Sequence, residues 1–405
     1  MRPPFRRLIE RVARSTGVPF RVVFADGSGY RHGQADPAFT LVFRDSSAQW
    51  RAVRDGHIGF LEAYFDGGLD VDGDFAALFR AGMEAGVDAA PTRWVRLKNA
   101  WLERRSSNRT FAQARANARR HYGLPREFYR WWLDEPAMMY TCAYWPDGTT
   151  TLEDAQRAKM DHVCRKVRLA AGERFVDVGT GWGGLLFHAW ERYGALGTGI
   201  NTTTEQVADL RAEIARRRLE DRISVVECDF RAIPGTYDKL LSVGTLEHAG
   251  RDQLPQVIRA HADALKPGGL GVIHFIGHVG VRDTEYFIRR HVFPGGWIPS
   301  LTLALDQMER HGLEVLDVEN LRRHYALTLD CWAERFERRW PEIRAIDPRR
   351  FDERFRRVWR TYLVGCAEMF RSPTGRTHLF QVTVAKGNVT KNYPMSRDFL
   401  YRRSR

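Results

Sequence analysis

The sequence has few cysteines, and no two of them stand at the spacing of a metal-binding or redox motif. They number five, and no Cys-x-x-Cys pair occurs, which argues against a disulfide framework and against a structural zinc site. The chain also lacks a run of about 18 apolar residues, the length that a membrane-spanning helix needs. Residues 1–14 are arginine-rich but lack the continuous apolar stretch of a secretory signal. We therefore expect a cytoplasmic protein without a metal, whose contact with a membrane is peripheral.

Internal repeats and low-complexity tracts are absent, whereas positive charge is plentiful. Lysine and arginine total 63 against 50 aspartates and glutamates, which gives a net charge of +13. A basic surface of this size suits an anionic partner, either nucleic acid or anionic lipid headgroups, and charge alone does not choose between them. The length of 405 residues and the apolar content of 43% predict two domains and a sizeable core.

The beginning of the chain predicts a small α+β domain. Short apolar runs between turns indicate strands at Val22–Phe24 and Thr40–Phe43, and a helix is predicted from Phe75 onward with Asp74 as its N-cap. The segment 96–125 is strongly basic and poor in strand-forming residues, so we interpret it as a helical linker. Its arginines fit either a solvated helix face or a surface for lipid or another acidic partner.

From about residue 155 onward, helical stretches alternate with short apolar runs. This alternation is typical of a doubly wound α/β domain with a mostly parallel sheet, in which ligands bind at the carboxyl ends of the strands. The predicted strands are Arg174–Val178, Gly194–Ile200, Ile223–Glu227, Lys239–Val243 and Gly269–Phe275. The predicted regions are an α+β domain over 1–95, the linker over 96–125, a catalytic domain over 126–390 and a basic tail over 391–405.

A glycine-rich turn follows the first strand of the predicted α/β domain. The sequence Gly179–Gly184 reads Gly-Thr-Gly-Trp-Gly-Gly, and glycines allow a close backbone approach to a ligand. Asp177 stands in the strand just before this loop, whereas the next strand ends at Asn201 without the acid that holds the ribose of NAD. Both features favour S-adenosylmethionine over a dinucleotide as the cofactor.

Several further motifs, from about residue 20 to 388, resemble the cyclopropane-fatty-acyl-phospholipid synthase and mycolic acid cyclopropane synthase family. They are Tyr140–Trp145, Leu152–Lys159, the loop Gly179–Gly184, Ser242–Gly250, Phe293–Gly296 and Asn320–Leu329. The resemblance implies a Rossmann-like class I methyltransferase domain that binds S-adenosylmethionine, with a smaller N-terminal α+β domain. Thr180 and Thr141 stand where the family has Cys and Ser, and Gly123 stands where it has Asp. These departures leave a shifted substrate or product open.

The resemblance also implies that a bound bicarbonate serves as the base. Its pocket carries over onto Cys142, Glu247, His274, Ile276 (through its backbone) and Tyr325. By their chemistry, His274 and Tyr325 donate hydrogen bonds to an oxyanion, whereas Glu247 holds the bicarbonate hydroxyl or orients His274. Each residue has an ordinary alternative, such as a buried cysteine that acts only as a small hydrophobe. Their occurrence together in matching motifs favours the functional interpretation.

The cofactor residues are expected at the strand ends and in the motif before the first strand. Asp229 and Phe230, which follow the third strand, are expected to hold and cover the adenine, and Trp182 fits either the cofactor site or the core. The predicted cofactor residues are Tyr140, Thr141, Asp177, Gly179, Gly181, Thr202, Gln206, Asp229 and Phe230.

The activity implied by the resemblance is transfer of a methylene from S-adenosylmethionine to the cis double bond of unsaturated phospholipid acyl chains. Such substrates lie in a bilayer, so we expect peripheral association with the anionic inner face of the cell membrane, no nucleic-acid partner and a possible homodimer. One alternative is a methyl-branched or methylene fatty acid as the product, or another lipid-like acceptor. A non-catalytic lipid- or nucleic-acid-binding protein is a third, which the complete glycine loop disfavours.

Overall fold

The computed structural model describes residues 3–87, 92–391 and 393–401. The chain divides into two compact units, each assembled from separated segments. The first unit comprises Met1–Arg105, Glu285–Val292 and Leu329–Gly375. The second unit comprises Ser106–Thr284, Phe293–Thr328 and Arg376–Arg405.

The helices and strands are numbered in chain order. The helices are α1 (Pro3–Ser15), α2 (Ser46–Phe65), α3 (Phe75–Glu84), α4 (Arg93–Ser106), α5 (Phe111–Tyr122), α6 (Arg126–Arg130), α7 (Leu152–Lys166), α8 (Gly184–Tyr193), α9 (Thr204–Arg217), α10 (Leu254–Ala264), α11 (Leu301–Arg310), α12 (Arg322–Arg338), α13 (Trp340–Ile346), α14 (Glu353–Arg371) and α15 (Asp398–Tyr401). The strands are β1 (Phe20–Val23), β2 (Gly29–His32), β3 (Phe39–Phe43), β4 (Leu69–Gly73), β5 (Arg174–Val178), β6 (Leu196–Asn201), β7 (Ile223–Glu227), β8 (Tyr237–Val243), β9 (Leu265–His278), β10 (Leu313–Asn320) and β11 (Thr377–Lys386).

The first unit contains a four-stranded sheet in the order β2-β1-β3-β4. Alternate residues of β3 are buried, as expected for a sheet with one face on the core. Phe5 of α1 packs on that face, with its ring centroid 4.9 Å from that of Phe43. The predicted cap is confirmed, because Asp74 Oδ1 accepts hydrogen bonds from the backbone N–H groups of Ala76 and Ala77, at 2.8 and 3.0 Å.

The observed units differ from the predicted domain boundaries. Helix α14 groups with the N-terminal segment rather than with the predicted catalytic domain over 126–390. Its Arg357 binds Asp70 of β4, with Nη2 2.6 Å from Oδ1, and its guanidinium lies 5.0 Å from the ring centre of Tyr64. Such contacts join residues almost 300 positions apart, so no local sequence pattern marks them.

The predicted linker is also more ordered than a connecting segment. Residues 96–125 lie mostly in α4 and α5, and the division between the units falls at the end of α4. Thr110 caps α5, because its Oγ1 accepts the Gln113 N–H at 3.2 Å. The prediction of helix there agrees with the structure, and each of the two helices belongs to a different unit.

The second unit is built on a seven-stranded sheet in the order β10-β11-β9-β8-β5-β6-β7. Strand β11 is antiparallel to both of its neighbours, and β5 through β9 pair in parallel. The chain leaves β5 first toward β6 and later returns to its other side as β8, so a topological switch lies between β5 and β8. The predicted mostly parallel α/β fold is confirmed, and β5 and β7 begin and end where predicted.

Part of the predicted tail over 391–405 is folded onto the second unit, whereas Asn392 and residues 402–405 lie outside the described residues. Leu400 of α15 is buried, and its carbonyl accepts a hydrogen bond from Arg165 Nη1 at 3.3 Å. Among the described residues, no helix has both the length and the apolar character needed to cross a membrane.

Candidate active site

The glycine loop forms the floor of a cleft at the carboxyl ends of β5 and β6. Gly179 has a φ of +82°, and a Cβ there would lie 2.5 Å from Thr245 Cγ2, so only glycine fits. Gly181 also has a positive φ, of +56°, yet a Cβ there would meet nothing within 4 Å. The space beside Gly181 is therefore open to a ligand that approaches the backbone.

This space, which we call the glycine-loop cleft, is lined by eight of the nine predicted cofactor residues. They are Tyr140, Thr141, Asp177, Gly179, Gly181, Thr202, Gln206 and Phe230. Asp177 lies at its base, where burial raises the pKa of the carboxyl to about 6. Trp182 also lines the cleft and packs on Tyr129, with ring centroids 5.0 Å apart, so it serves both the site and the core.

Asp229 is the predicted cofactor residue that does not line the glycine-loop cleft. Its two carboxylate oxygens accept hydrogen bonds from Arg231 Nε and Nη2, both at 2.7 Å. Arg231 also donates to the Asn108 carbonyl at 2.8 Å, and its guanidinium lies 4.7 Å from the Phe111 ring centre. In this structure, Asp229 therefore fixes the chain around Phe230 by a buried bidentate ion pair.

Asn201 is a cleft residue to which the sequence analysis gave no binding role. Its Nδ2 donates to the Gly181 carbonyl at 3.2 Å and to Gln206 Oε1 at 3.0 Å. It thereby joins the glycine loop to α9, the helix that follows β6. The signal was present in the sequence, because Asn201 ends the second strand, the position where Rossmann-type sites place a ligand-binding side chain.

Helix α7 supports Thr141, which lines the cleft. Lys159 Nζ donates to Thr141 Oγ1 at 2.7 Å, and Gln156 Nε2 donates to the carbonyl of Thr141 at 2.9 Å. Lys159 is fully buried and interacts electrostatically with Asp134 and Asp177, and its burial lowers the pKa of the ammonium. The sequence motif contained Lys159 and Gln156, but only the fold shows that they position Thr141.

An aromatic wall connects the cleft with the region of Glu247. The ring of His121 stacks on Tyr140, at 5.6 Å between centroids, and contacts the Phe293 ring at 4.0 Å. Tyr122 Oη lies 2.9 Å from Nε2 of His248, and burial lowers the pKa of His248 to about 4. His248 is therefore neutral at physiological pH.

Glu247 is half-buried as a residue, and its carboxyl, whose Oε2 is shielded from solvent, is only half satisfied. Its Oε1 accepts the Ile276 N–H at 2.6 Å, whereas its Oε2 has no hydrogen-bond partner in the part of the chain that the structure describes. Burial raises the pKa of Glu247 to about 7. Ile276 was predicted to take part in the anion pocket through its backbone, and in this structure its N–H donates to Glu247.

His274 lies two residues before Ile276 on β9 and is fully buried. Gln381 Nε2 lies 3.0 Å from His274 Nδ1, so Gln381 donates to Nδ1 and the imidazole proton is assigned to Nε2. Within the described ranges Nε2 has no hydrogen-bond partner. Burial holds the pKa of His274 well below its usual value, so this residue is a neutral hydrogen-bond donor.

Cys142 and Tyr325 are brought to the same region by one threonine. Thr328 Oγ1 accepts the backbone N–H of Ala143 at 3.1 Å, next to Cys142, and Tyr325 lies one turn earlier on α12. Both Cys142 and Tyr325 are buried, and burial raises the pKa of the Cys142 thiol, so the thiol remains protonated. We call Cys142, Glu247, His274 and Tyr325, the four side chains that the family resemblance assigns to one pocket, the acid–base cluster.

The acid–base cluster adjoins the glycine-loop cleft through the chain itself. Thr141 lines the cleft and precedes Cys142, while Thr245 and His248 line it on either side of Glu247. Strand β8 ends at Val243, opposite His274 of β9. A ligand in the cleft therefore lies near the backbone that carries Cys142 and Glu247.

The fold and the glycine-loop cleft define an S-adenosylmethionine-dependent methyltransferase. The family model for mycolic acid cyclopropane synthetase matches residues 109–382, and a domain of unknown function, DUF7884, matches residues 8–86. The chain belongs to the mycolic acid cyclopropane synthetase family.

Named relatives span nearly all of the chain. It is 34% identical over 406 aligned residues to a probable fatty acid methyltransferase of Pseudomonas putida, covering 96% of this chain and 98% of the relative. It is 31% identical to the cyclopropane-fatty-acyl-phospholipid synthase of Escherichia coli K12, covering 83% and 85%. The crystal structure of mycolic acid cyclopropane synthase CmaA1 complexed with SAH and CTAB matches with a TM-score of 0.62 and 29% identity, covering 67% of this chain and 98% of that one.

Proposed function

We propose that this enzyme is a cyclopropane-fatty-acid synthase that acts on the cis double bond of unsaturated phospholipid acyl chains. The observation that carries the proposal is the pair of incompletely satisfied polar atoms near the glycine-loop cleft. Glu247 Oε2 and His274 Nε2 lack partners among the described residues, and a bound ion such as bicarbonate is one of the explanations for buried polar atoms left in this way. An N-, O- or simple C-methyltransferase of a stronger nucleophile has less need of such a cluster.

The chemistry explains why a proton acceptor must be close. Bound S-adenosylmethionine supplies an electrophilic methyl group. An alkene is a weak nucleophile, and its alkylation leaves a positive charge that is relieved when a proton is lost and the ring closes. The carboxyl of Glu247 contributes negative charge near this centre when ionised, and exclusion of water by the aromatic wall would strengthen this effect.

Bicarbonate fits the acid–base cluster by donor and acceptor type. The Nε2–H of His274 and the hydroxyl of Tyr325 would donate to its oxyanion, the Glu247 carboxylate would accept from its hydroxyl, and Cys142 would border it. Bicarbonate would supply the base. The N–H of Ile276 binds Glu247 at 2.6 Å, so its contribution is to orient that carboxylate.

The location and partners follow from the proposed substrate. We infer a cytoplasmic enzyme that associates peripherally with the anionic inner face of the cell membrane, because phospholipid acyl chains lie in the bilayer and the net charge is +13. The same charge would also suit nucleic acid, but an acyl-chain substrate favours anionic lipid headgroups as its partner. We also propose that the enzyme forms a homodimer.

A second candidate product is a methylene or methyl-branched fatty acid. The specific observation in its favour is the Pseudomonas putida relative, which covers 96% of this chain and is named a probable fatty acid methyltransferase. The acid–base cluster serves this reaction as well, because a methylene product also forms by loss of a proton.

The experiment is expression in a bacterium that lacks its own cyclopropane synthase, followed by gas chromatography–mass spectrometry of the membrane fatty acids. We expect a fatty acid one methylene heavier than its unsaturated parent, which resists hydrogenation and is absent with Glu247→Ala. A heavier product that takes up hydrogen would contradict ring formation and support the second candidate product. Soluble, cofactor-binding protein without a new lipid would contradict the phospholipid substrate.

A further inference from the structure

One helix of the first unit has three large apolar side chains that face outward. In α4, Val95 and Asn99 are buried, and Leu102 and Ser106 are half-buried, so the inward face follows a spacing of three and four residues. Trp94, Leu97 and Trp101 follow the same spacing on another face and are 67%, 62% and 55% exposed. Soluble proteins rarely expose such a group of large apolar side chains without a partner.

Cationic side chains border this group on both sides. By helical geometry, Arg93 and Arg104 flank it along one edge, and Lys98 and Arg105 along the other. The guanidinium of Arg105 lies 5.1 Å from the ring centre of Trp101. The acidic residue of this helix, Glu103, lies near Arg289 with its Oε2 3.2 Å from Nη2, so its charge is neutralised within the unit.

We propose that Trp94, Leu97 and Trp101, which we call the α4 stripe, insert into the headgroup region of an anionic lipid bilayer. Tryptophan prefers the membrane interface, and a helix with an apolar stripe bordered by arginine and lysine lies flat in that interface. The long cationic side chains extend toward lipid phosphates while their methylene groups remain beside the apolar stripe. The charge complementarity favours anionic lipid over a second protein chain as the occupant.

This inference rests on the proposed function for its biological purpose, because it gives an enzyme of membrane lipids a defined docking surface. It does not depend on turnover for its test. Binding to vesicles is measurable by sedimentation whether or not the vesicle lipid is methylated, so a failed substrate assignment and a failed docking surface give different results.

The test uses the full chain and vesicles of phosphatidylglycerol and phosphatidylethanolamine, compared with vesicles of phosphatidylcholine. The variant Trp94→Ser/Leu97→Ser/Trp101→Ser removes the stripe without disturbing buried residues. We expect its partition onto anionic vesicles to fall about 100-fold. The variant Trp94→Phe/Trp101→Phe keeps apolar rings and should retain most binding.

The matched control is Val281→Ser/Met395→Ser, which removes two other exposed apolar side chains and should bind as the wild type does. Circular dichroism and cofactor affinity verify that every variant is folded. Turnover of detergent-dispersed lipid should remain unchanged in the stripe variant, while turnover on vesicles falls. Equal vesicle binding by wild type and stripe variant, or no binding by either, overturns the inference. Conversion of a dimer to a monomer with unchanged vesicle binding also overturns it and assigns the stripe to a chain–chain interface.

Discussion

The glycine-loop cleft and the acid–base cluster are constructed differently. The cleft is shaped mainly by backbone conformation, with Gly179 and Gly181 at positive φ within one short loop. The cluster is made of side chains from four distant segments, and two of its polar atoms have no partner among the described residues. Backbone conformation therefore shapes one region, whereas side chains define the other, and the proposed function assigns the proton transfer to those side chains.

The largest expected effect is a loss of turnover without a loss of cofactor binding, which would separate the role of the cluster from that of the cleft. Glu247→Gln keeps an acceptor for the Ile276 N–H but removes the negative charge, so we expect turnover to fall about 1000-fold. Affinity for S-adenosylhomocysteine, measured by calorimetry, should remain within about twofold. A parallel loss of affinity would mean that the cluster and the cleft are not separate in function.

The same substitution should make the protein more stable at high pH. Because folding raises the pKa of Glu247 from 4.5 to about 7, its favourable contribution is complete below pH 4.5 and is lost as the pH rises through about 7. Gln does not titrate. The difference in the free energy of unfolding, Glu247→Gln minus wild type, should therefore increase by about 3 kcal/mol between pH 4.5 and about 7. Urea unfolding at several pH values measures the difference. A difference that does not change with pH would show that Glu247 is not held as a costly buried acid.

The reverse change should break the cleft and spare the cluster. Gly181→Val places a branched side chain in the open space beside the loop, and we expect the affinity for S-adenosylhomocysteine to fall about 30-fold. Gly172→Val is the matched control, since Gly172 also has a positive φ, of +78°, with nothing within 4 Å of a Cβ. Both variants carry backbone strain, so similar affinities in the two would contradict a ligand beside Gly181.

The smallest expected effect concerns Lys159, which binds Thr141 of the cleft and interacts electrostatically with Cys142 of the cluster. Lys159→Met removes the donor to Thr141 Oγ1, and we expect about a tenfold loss of cofactor affinity. Lys166→Met is the control, because Lys166 is equally buried on α7 but pairs with Glu319, at 2.7 Å between Nζ and Oε2. Calorimetry on both variants separates a positioning role from general destabilisation. A tenfold loss in both would assign Lys159 to stability alone.

The two regions also differ in how far the sequence predicted them. The glycine loop follows a buried strand and precedes a helix, so its place in the fold was readable from local pattern. The residues of the acid–base cluster were identified through a family resemblance, because Cys142 and Tyr325 are 183 positions apart in the numbering and no local rule brings them together. Lys159 and Asn201 were visible in the sequence, but their hydrogen bonds depend on packing between elements.

The first unit was predicted least well. Two of its four strands, β1 and β3, were predicted from short apolar runs, whereas β2 and β4 were not predicted. The grouping of α14 with this unit depends on contacts between distant segments. In α4, the high arginine content indicated a basic helix, but the outward direction of Trp94 and Trp101 became clear only when the buried face was known. Charge can be counted in a sequence, while the exposure of an apolar side chain is decided by tertiary packing.

The central claim is that the acid–base cluster takes a proton from the carbon that has been transferred to the acyl chain. The most direct measurement uses purified enzyme, unsaturated phospholipid and S-adenosylmethionine carrying a trideuteriomethyl group, with mass spectrometry of the product. We predict that the product retains two of the three deuterium atoms and resists hydrogenation, and that Glu247→Gln reduces its yield about 1000-fold. A product that keeps all three deuterium atoms would contradict the account, because methyl transfer would then proceed without proton removal from the transferred carbon.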